Sequence, residues 1–194
     1  MSFNQRTKYA RYMICMATAC LFTGCAYLGG NFREVAPGAV YRSGQLHPQA
    51  LERKLEQHNI RTVVNLRAAG PGERWYEDEQ AVCAAQGAAH YSLGWSMHAL
   101  PPPESLARLI DLYESDAGPI LIHCHGGVHR AAIGAAVYVL LQGGSVETAR
   151  QQLGSHFNDA AIGQLLDLYE ADGGNFELWA REVYPRVYKV YIAN

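Results

Sequence analysis

Cysteine is scarce in this chain. There are five in 194 residues, Cys15, Cys20, Cys25, Cys83 and Cys124, too few for a disulfide scaffold. No apolar stretch reaches the roughly 20 residues that a membrane-spanning helix needs. No internal repeat, low-complexity tract or second-domain linker is present, so the sequence predicts one domain with one core. Basic residues are few, 16 against 18 acidic, which argues against nucleic acid as a partner. Between Gln80 and Ser105 there is no aspartate, and the only acid is Glu104.

The first 25 residues read as a leader. Arg6, Lys8 and Arg11 form a basic start, and Tyr12 to Thr23 carries no charge. That length suits a signal peptide, whose apolar region is roughly 7–15 residues. The stretch closes with Leu21-Phe22-Thr23-Gly24-Cys25, which resembles a bacterial lipoprotein signal. On that reading residues 1–24 are removed, Cys25 is lipidated, residues 25–31 form a tether and residues 32–194 form the domain. A plain anchor or uncleaved signal is the competing reading. Tyr27 stands where an aspartate would resemble an inner-membrane retention signal, so the expectation is an outer-membrane lipoprotein facing the periplasm. Taking three bases from 16 leaves 13 against 18 acids, a net charge of −5. Only Cys83 and Cys124 then remain as thiols, in an oxidising compartment. Cys83, within Gln80-Ala81-Val82-Cys83-Ala84-Ala85, reads as a small buried residue of a helix.

The most informative segment is His123-Cys124-His125-Gly126-Gly127-Val128-His129-Arg130. It follows the apolar run Pro119-Ile120-Leu121-Ile122, read as a buried strand. It precedes Ala131 to Leu141, read as a buried helix. Cys124 therefore falls where a strand turns into a helix through a glycine-containing loop. Backbone N–H groups and the helix dipole at such a start favour anions, phosphate and thiolate alike. Arg130 adds a planar fork able to grip two phosphate oxygens.

The pattern resembles the cysteine-dependent phosphatases, whose signature is His-Cys, five residues, Arg. Val40-Tyr41-Arg42-Ser43-Gly44-Gln45, Ile60 to Arg67 and Pro101-Pro102-Pro103-Glu104 extend the likeness to the compact atypical dual-specificity branch. The resemblance implies Cys124 as nucleophile, Arg130 as clamp, and His125, Gly126, Gly127, Val128, His129 and Arg130 as the phosphate cradle. It also implies that His123 orders the loop and supports the thiolate, and that no cofactor or metal is needed. The partner implied is a phosphorylated substrate: a peptide, an inositol phosphate or a lipid phosphate.

Two departures stand out. The family usually has Ser or Thr after the arginine, where this chain has Ala131. It usually supplies an aspartate as general acid upstream of the nucleophile, where this chain offers His98 or Glu104; His98 is taken as the candidate. Asp111 falls inside a helix, and Asp116 directly precedes the nucleophile strand. Arg42 and Arg67 are expected as structural ion-pair partners, and Trp95 as a pocket wall. Two other readings remain open: a phosphate-binding envelope module without turnover, and a metal site built from His123, His125 and His129.

Strands alternate with helices along the rest of the chain. Strands are expected at 31–35, 39–42, 62–66, 89–93 and 119–123. Helices are expected at 48–58, 73–86 with Glu77-Asp78-Glu79 on the solvent face, after Pro103, at 131–141, from Ser145 to Gly154, around Ile162–Tyr169, and over 175–191 with a break at Pro185. The fold class predicted is α/β, a central, mostly parallel sheet flanked by helices, dual-specificity-phosphatase-like.

Overall fold

A computed structural model describes residues 30–68, 72–115 and 117–193. Cys25, expected to carry a lipid, and the expected leader lie outside the described residues. Five strands form one sheet: β1 (Arg33–Ala36), β2 (Val40–Ser43), β3 (Thr62–Arg67), β4 (Ala89–Trp95) and β5 (Ile120–His123), in the order β1-β2-β5-β3-β4. β1 runs antiparallel to β2, and every other pairing is parallel. β5 is central, and each of its four residues is buried. That explains why its sequence is a continuous apolar run rather than an alternation.

Helix α1 (Pro48–Gln57) connects β2 to β3, and α2 (Arg74–Ala85) connects β3 to β4. Both lie on one face, where Leu51, Leu55 and Cys83 pack with Tyr41, Val63 and Leu121 of the sheet. The opposite face holds the larger core. Helix α3 (Pro103–Glu114) leads into β5, and α4 (Arg130–Leu141) leaves it. Leu106, Leu109, Ile110, Ile133 and Val137 pack there on Val64, Leu66 and Ile122. Gly134 lets α4 press on the sheet, because a Cβ there would sit 3.0 Å from Ile122 and 3.1 Å from Leu66. With crossovers on opposite faces, the C-terminal end of β5 opens a crevice between them.

The chain closes with α5 (Val146–Arg150), a 3₁₀ turn (Ala161–Gly163), α6 (Gln164–Asp172) and α7 (Phe176–Leu178). A π-helical turn (Trp179–Val183) then runs into α8 (Tyr184–Ala193). Pro185 does not break this last segment. Proline lacks an N–H and its ring crowds the carbonyl four residues back. The widened π turn immediately before it accommodates both deficits. Arg181 ties the segment to α3 through Asp111 at 2.9 Å and Glu114 at 3.0 Å. Among the described residues no helix is long and apolar enough to cross a membrane.

Three sequence expectations shift. β4 runs on to Trp95 instead of stopping at Leu93, through Gly94 at φ 59° and a register irregularity opposite Asn65–Arg67. Gly30 and Asn31 belong to the fold: Gly30 O accepts from Gly44 N at 2.7 Å. Glu79 is not on the solvent face of α2; it is 4 % exposed, because three polar partners on neighbouring elements draw it inward.

Candidate active site

β5 ends at His123, and α4 begins at Arg130 with no side-chain cap on its N-terminus. The connecting loop carries Cys124 at its base, 2 % exposed. The Gly127 N–H donates to Cys124 Sγ at 3.3 Å, so one loop donor already points at the sulfur. Gly127 has φ +70°, and a Cβ there would lie 2.6 Å from Gly44 N. Only glycine meets both conditions. The loop after β2 forms the back wall: Gln45 N donates to His125 O at 2.9 Å. Asn31 Nδ2 donates to the carbonyls of Gly126 and Gly127, each at 3.2 Å. This bracing is what the Ser43-Gly44-Gln45 segment contributes.

Arg130 Nη1 donates to Trp95 O at 3.3 Å, while its buried Nε has no hydrogen-bond partner. The guanidinium is thus anchored at one edge and retains an unused donor. Trp95 is core rather than pocket wall, 1 % exposed. Its Nε1 donates to Ser105 Oγ at 2.7 Å, and Ser105 donates to Leu93 O at 3.0 Å. The segment from Ser96 to Pro102, which carries His98, is therefore fixed at its start. Ile162 N donates to Met97 O at 3.3 Å, and Tyr184 Oη donates to Pro101 O at 2.6 Å. His98 itself is exposed, with its N–H on Ser96 Oγ at 3.0 Å. Glu104 is exposed in the first turn of α3.

Neither arginine expected in an ion pair makes one among the described residues. Arg67 stacks on Trp75, 3.7 Å from the ring centre. Arg42 is 4 % exposed and donates to Gln152 O. It lies level with Ile122 in the parallel register, so it shares a sheet face with Cys124 two residues on. Burial lowers its guanidinium to about 10, with Arg33 adding to this and Cys124 opposing it. It therefore stays cationic at neutral pH, on the same face as Cys124.

The histidines of the motif diverge. His125 is exposed. His129 Nε2 meets Asn158 Oδ1 at 2.6 Å, and its ring packs on Phe157. His123 is buried and faces α2. Among the described residues no three His, Cys, Asp or Glu side chains are placed to hold a metal ion. The three histidines of the motif do not converge, because His123 turns to Glu79, His125 is exposed and His129 turns to Asn158.

The sequence reading missed a cluster behind the loop. Glu79 Oε1 meets His123 Nε2 at 3.0 Å and His90 Nε2 at 2.9 Å. Its Oε2 accepts from Gln45 Nε2 at 2.6 Å. Burial alone would raise this carboxyl, but the hydrogen bonds from His123, His90 and Gln45 outweigh it and hold it at about 2. The only sequence trace was a third acid in succession on an amphipathic helix, which a solvated face explains equally well.

No protein-family model and no curated protein sequence matches the chain. Solved structures do. The core catalytic domain of the PP-IP phosphatase SIW14 from S. cerevisiae aligns with a TM-score of 0.60 at 22 % identity, over 73 % of this chain and 86 % of that one. TpbA of P. aeruginosa aligns with a TM-score of 0.57 at 22 % identity, over 84 % of this chain and 91 % of that one. A TpbA variant in complex with phosphotyrosine aligns with a TM-score of 0.52 at 21 % identity, over 73 % and 96 %. The strand, loop and helix that carry Cys124 and Arg130 thus stand in an α/β architecture of the dual-specificity-phosphatase type.

Proposed function

We propose that the chain is an exported, lipid-anchored phosphatase that hydrolyses phosphate monoesters through a phosphocysteine on Cys124. The observation that carries this reading is the Gly127 N–H on Cys124 Sγ together with the unpartnered Nε of Arg130 at the other end of the same loop. A thiolate, a loop donor and an anchored guanidinium are what in-line phosphoryl transfer requires. Sγ attacks phosphorus, a P–S bond forms, and the P–O bond to the leaving group breaks. Arg130 and the loop N–H groups stabilise the equatorial oxygens. His98 gives its proton to the departing oxygen. Water then displaces the sulfur, releasing inorganic phosphate and restoring the thiolate. No step calls on a cofactor.

The substrate belongs among phosphorylated peptides, inositol phosphates and lipid phosphates. The similar folds include one named as a PP-IP phosphatase and one bound to phosphotyrosine. The proposed lipid on Cys25 is supported by the basic start, the short apolar stretch and Gly24-Cys25, and the proposed location at the outer membrane facing the periplasm by Tyr27 in place of a retention aspartate. A second reading, phosphate binding without turnover, is favoured by Ala131 and by the missing aspartate.

Phosphate release from a panel of these substrate classes tests the reading. Cys124→Ser is expected to abolish release while retaining phosphate-analogue binding, and Arg130→Lys to lose at least about a hundredfold, since an ammonium cannot form the fork. His98→Ala is expected to slow alkyl phosphates more than nitrophenyl phosphate, whose leaving group needs little protonation. Wild-type rates in Cys124→Ser would end the phosphocysteine mechanism. Binding without release by the wild-type chain would establish the second reading.

A further inference from the structure

The loop from His125 to Val128 contains two adjacent glycines, so its peptide units can turn over unless something outside holds them. What holds them acts from behind. The His125 carbonyl accepts from Gln45 N at 2.9 Å. The Gly126 and Gly127 carbonyls both accept from Asn31 Nδ2, each at 3.2 Å. A side-chain amide nitrogen carries two hydrogens, one for each carbonyl. Three consecutive carbonyls are thus drawn to the back of the loop.

In a trans peptide the N–H points opposite to the C=O, and the peptides of this loop are trans. The three carbonyls share their peptide planes with the N–H groups of Gly126, Gly127 and Val128. Those three N–H groups therefore face the inside of the loop. Gly127 shows it directly, since its N–H meets Cys124 Sγ at 3.3 Å. The N–H groups of Gly126 and Val128 meet no acceptor among the described residues, so both are left for an anion.

We propose that Asn31 is a positioning residue for the anion-binding donors, keeping the Gly126–Gly127 and Gly127–Val128 peptides turned with their N–H groups inward. Without its clasp either peptide can reverse. A reversed peptide presents a carbonyl oxygen, a partial negative charge, where a phosphoryl oxygen has to lie. The inference deepens the phosphatase reading and rests on it for its meaning in catalysis.

The surroundings of Asn31 fix which end of its amide meets the loop. Its Oδ1 accepts from Arg33 Nε at 3.0 Å, and a guanidinium only donates. The oxygen is therefore committed to Arg33 and the nitrogen to the loop. A reversed amide would set an oxygen against two carbonyl oxygens. The backbone of Asn31 has φ +54°, a left-handed conformation that asparagine adopts more readily than most residues. Gly30 O accepts from Gly44 N at 2.7 Å, which anchors the segment beside the loop.

The test is binding of tungstate, a tetrahedral oxyanion, to the full chain by calorimetry, with the Gly126, Gly127 and Val128 amide protons followed in nitrogen–proton spectra. In the wild-type protein all three amide protons are expected to move downfield as tungstate binds. Asn31→Gly keeps the left-handed backbone and removes the clasp. Its affinity is expected to fall about tenfold, the scale of one net hydrogen bond. The Gly127 and Val128 movements should be lost and that of Gly126 kept, because Gln45 still holds the His125 carbonyl. Asn31→Asp keeps the shape and the bond from Arg33, yet turns a double donor into an acceptor that favours the reversed peptides. It is expected to bind tungstate more weakly than Asn31→Gly, whereas a role in folding alone gives the opposite order. Wild-type affinity in both variants, or Gly127 and Val128 movements retained in both, overturns the proposal. Should neither variant fold, Arg33→Ala decides, a change at an exposed residue. A smaller loss of affinity, read at the same two amides, is then expected, and unchanged amides overturn the proposal. Tungstate binding needs no turnover, so a chain that shows the expected pattern but releases no phosphate refutes the phosphatase reading alone. A wild-type chain that binds no tungstate refutes both.

Discussion

Gly127 is the residue whose replacement the loop tolerates least. A side chain would have to adopt φ +70° and enter the space of Gly44 N, 2.6 Å away. Backbone strain of that kind costs about 1–3 kcal/mol, and relief by moving the loop would displace the N–H that meets Cys124 Sγ. Gly127→Ala is expected to lower stability in urea by about 2 kcal/mol and to cut kcat/KM by about a hundredfold, the scale of a 1 Å misplacement of reacting groups. At this scale the sequence was informative about the strand, loop and helix that hold Cys124 and Arg130, because their spacing is local. It was silent on Glu79, Gln45 and Asn31, which lie 11 to 96 residues from the groups they hold. No periodicity encodes such a pairing. It also misassigned Arg42 and Arg67, since an arginine destined for a carbonyl or a tryptophan face has the same sequence appearance as one destined for a carboxylate.

Elements, by contrast, were largely legible. The apolar run of β5, the alanine-rich α4 and the prolines opening α1 and α3 each carry their own signal. The errors fell at ends, where Gly94 extends β4 and a π turn carries α8 past Pro185. The extension of β4 has a functional side: it delivers Trp95, whose carbonyl receives Arg130 and whose indole is held by Ser105. Ser105→Ala leaves the Trp95 N–H unmet. It is expected to cost about 1–2 kcal/mol of stability and, by loosening Arg130, to raise KM for a phosphate ester more than it lowers kcat. Steady-state kinetics beside thermal unfolding separate the two effects.

For the whole molecule, the Glu79 cluster couples folding to acidity. Its carboxyl is held at about 2 against an ordinary 4.5, so the folded state binds this proton less readily than the unfolded chain. The associated stability is complete above about pH 4.5 and is lost as pH falls towards 2. A shift of that size corresponds to roughly 3 kcal/mol. Urea midpoints should fall steeply over that window in the wild-type protein and more gently in Glu79→Gln; equal slopes would show that other carboxyls govern acid unfolding. The sheet order β1-β2-β5-β3-β4, which brings α2 over His123 and makes this coupling, is a global property that the alternation of strands and helices left undetermined.

Asn31 clasps the carbonyls of Gly126 and Gly127, and it lies only six positions beyond Cys25. A fully extended chain spans at most about 3.3–3.6 Å per residue, roughly 20 Å over that interval. On the proposed lipid anchor at Cys25, the loop from Cys124 to Arg130 cannot rise far beyond that height from the bilayer, less than the roughly 30 Å of the hydrocarbon core. The tether then acts as a depth gauge. Phosphoryl groups displayed at the membrane face lie within its reach, whereas those on the far parts of tall assemblies do not, whatever their chemical fit to the loop.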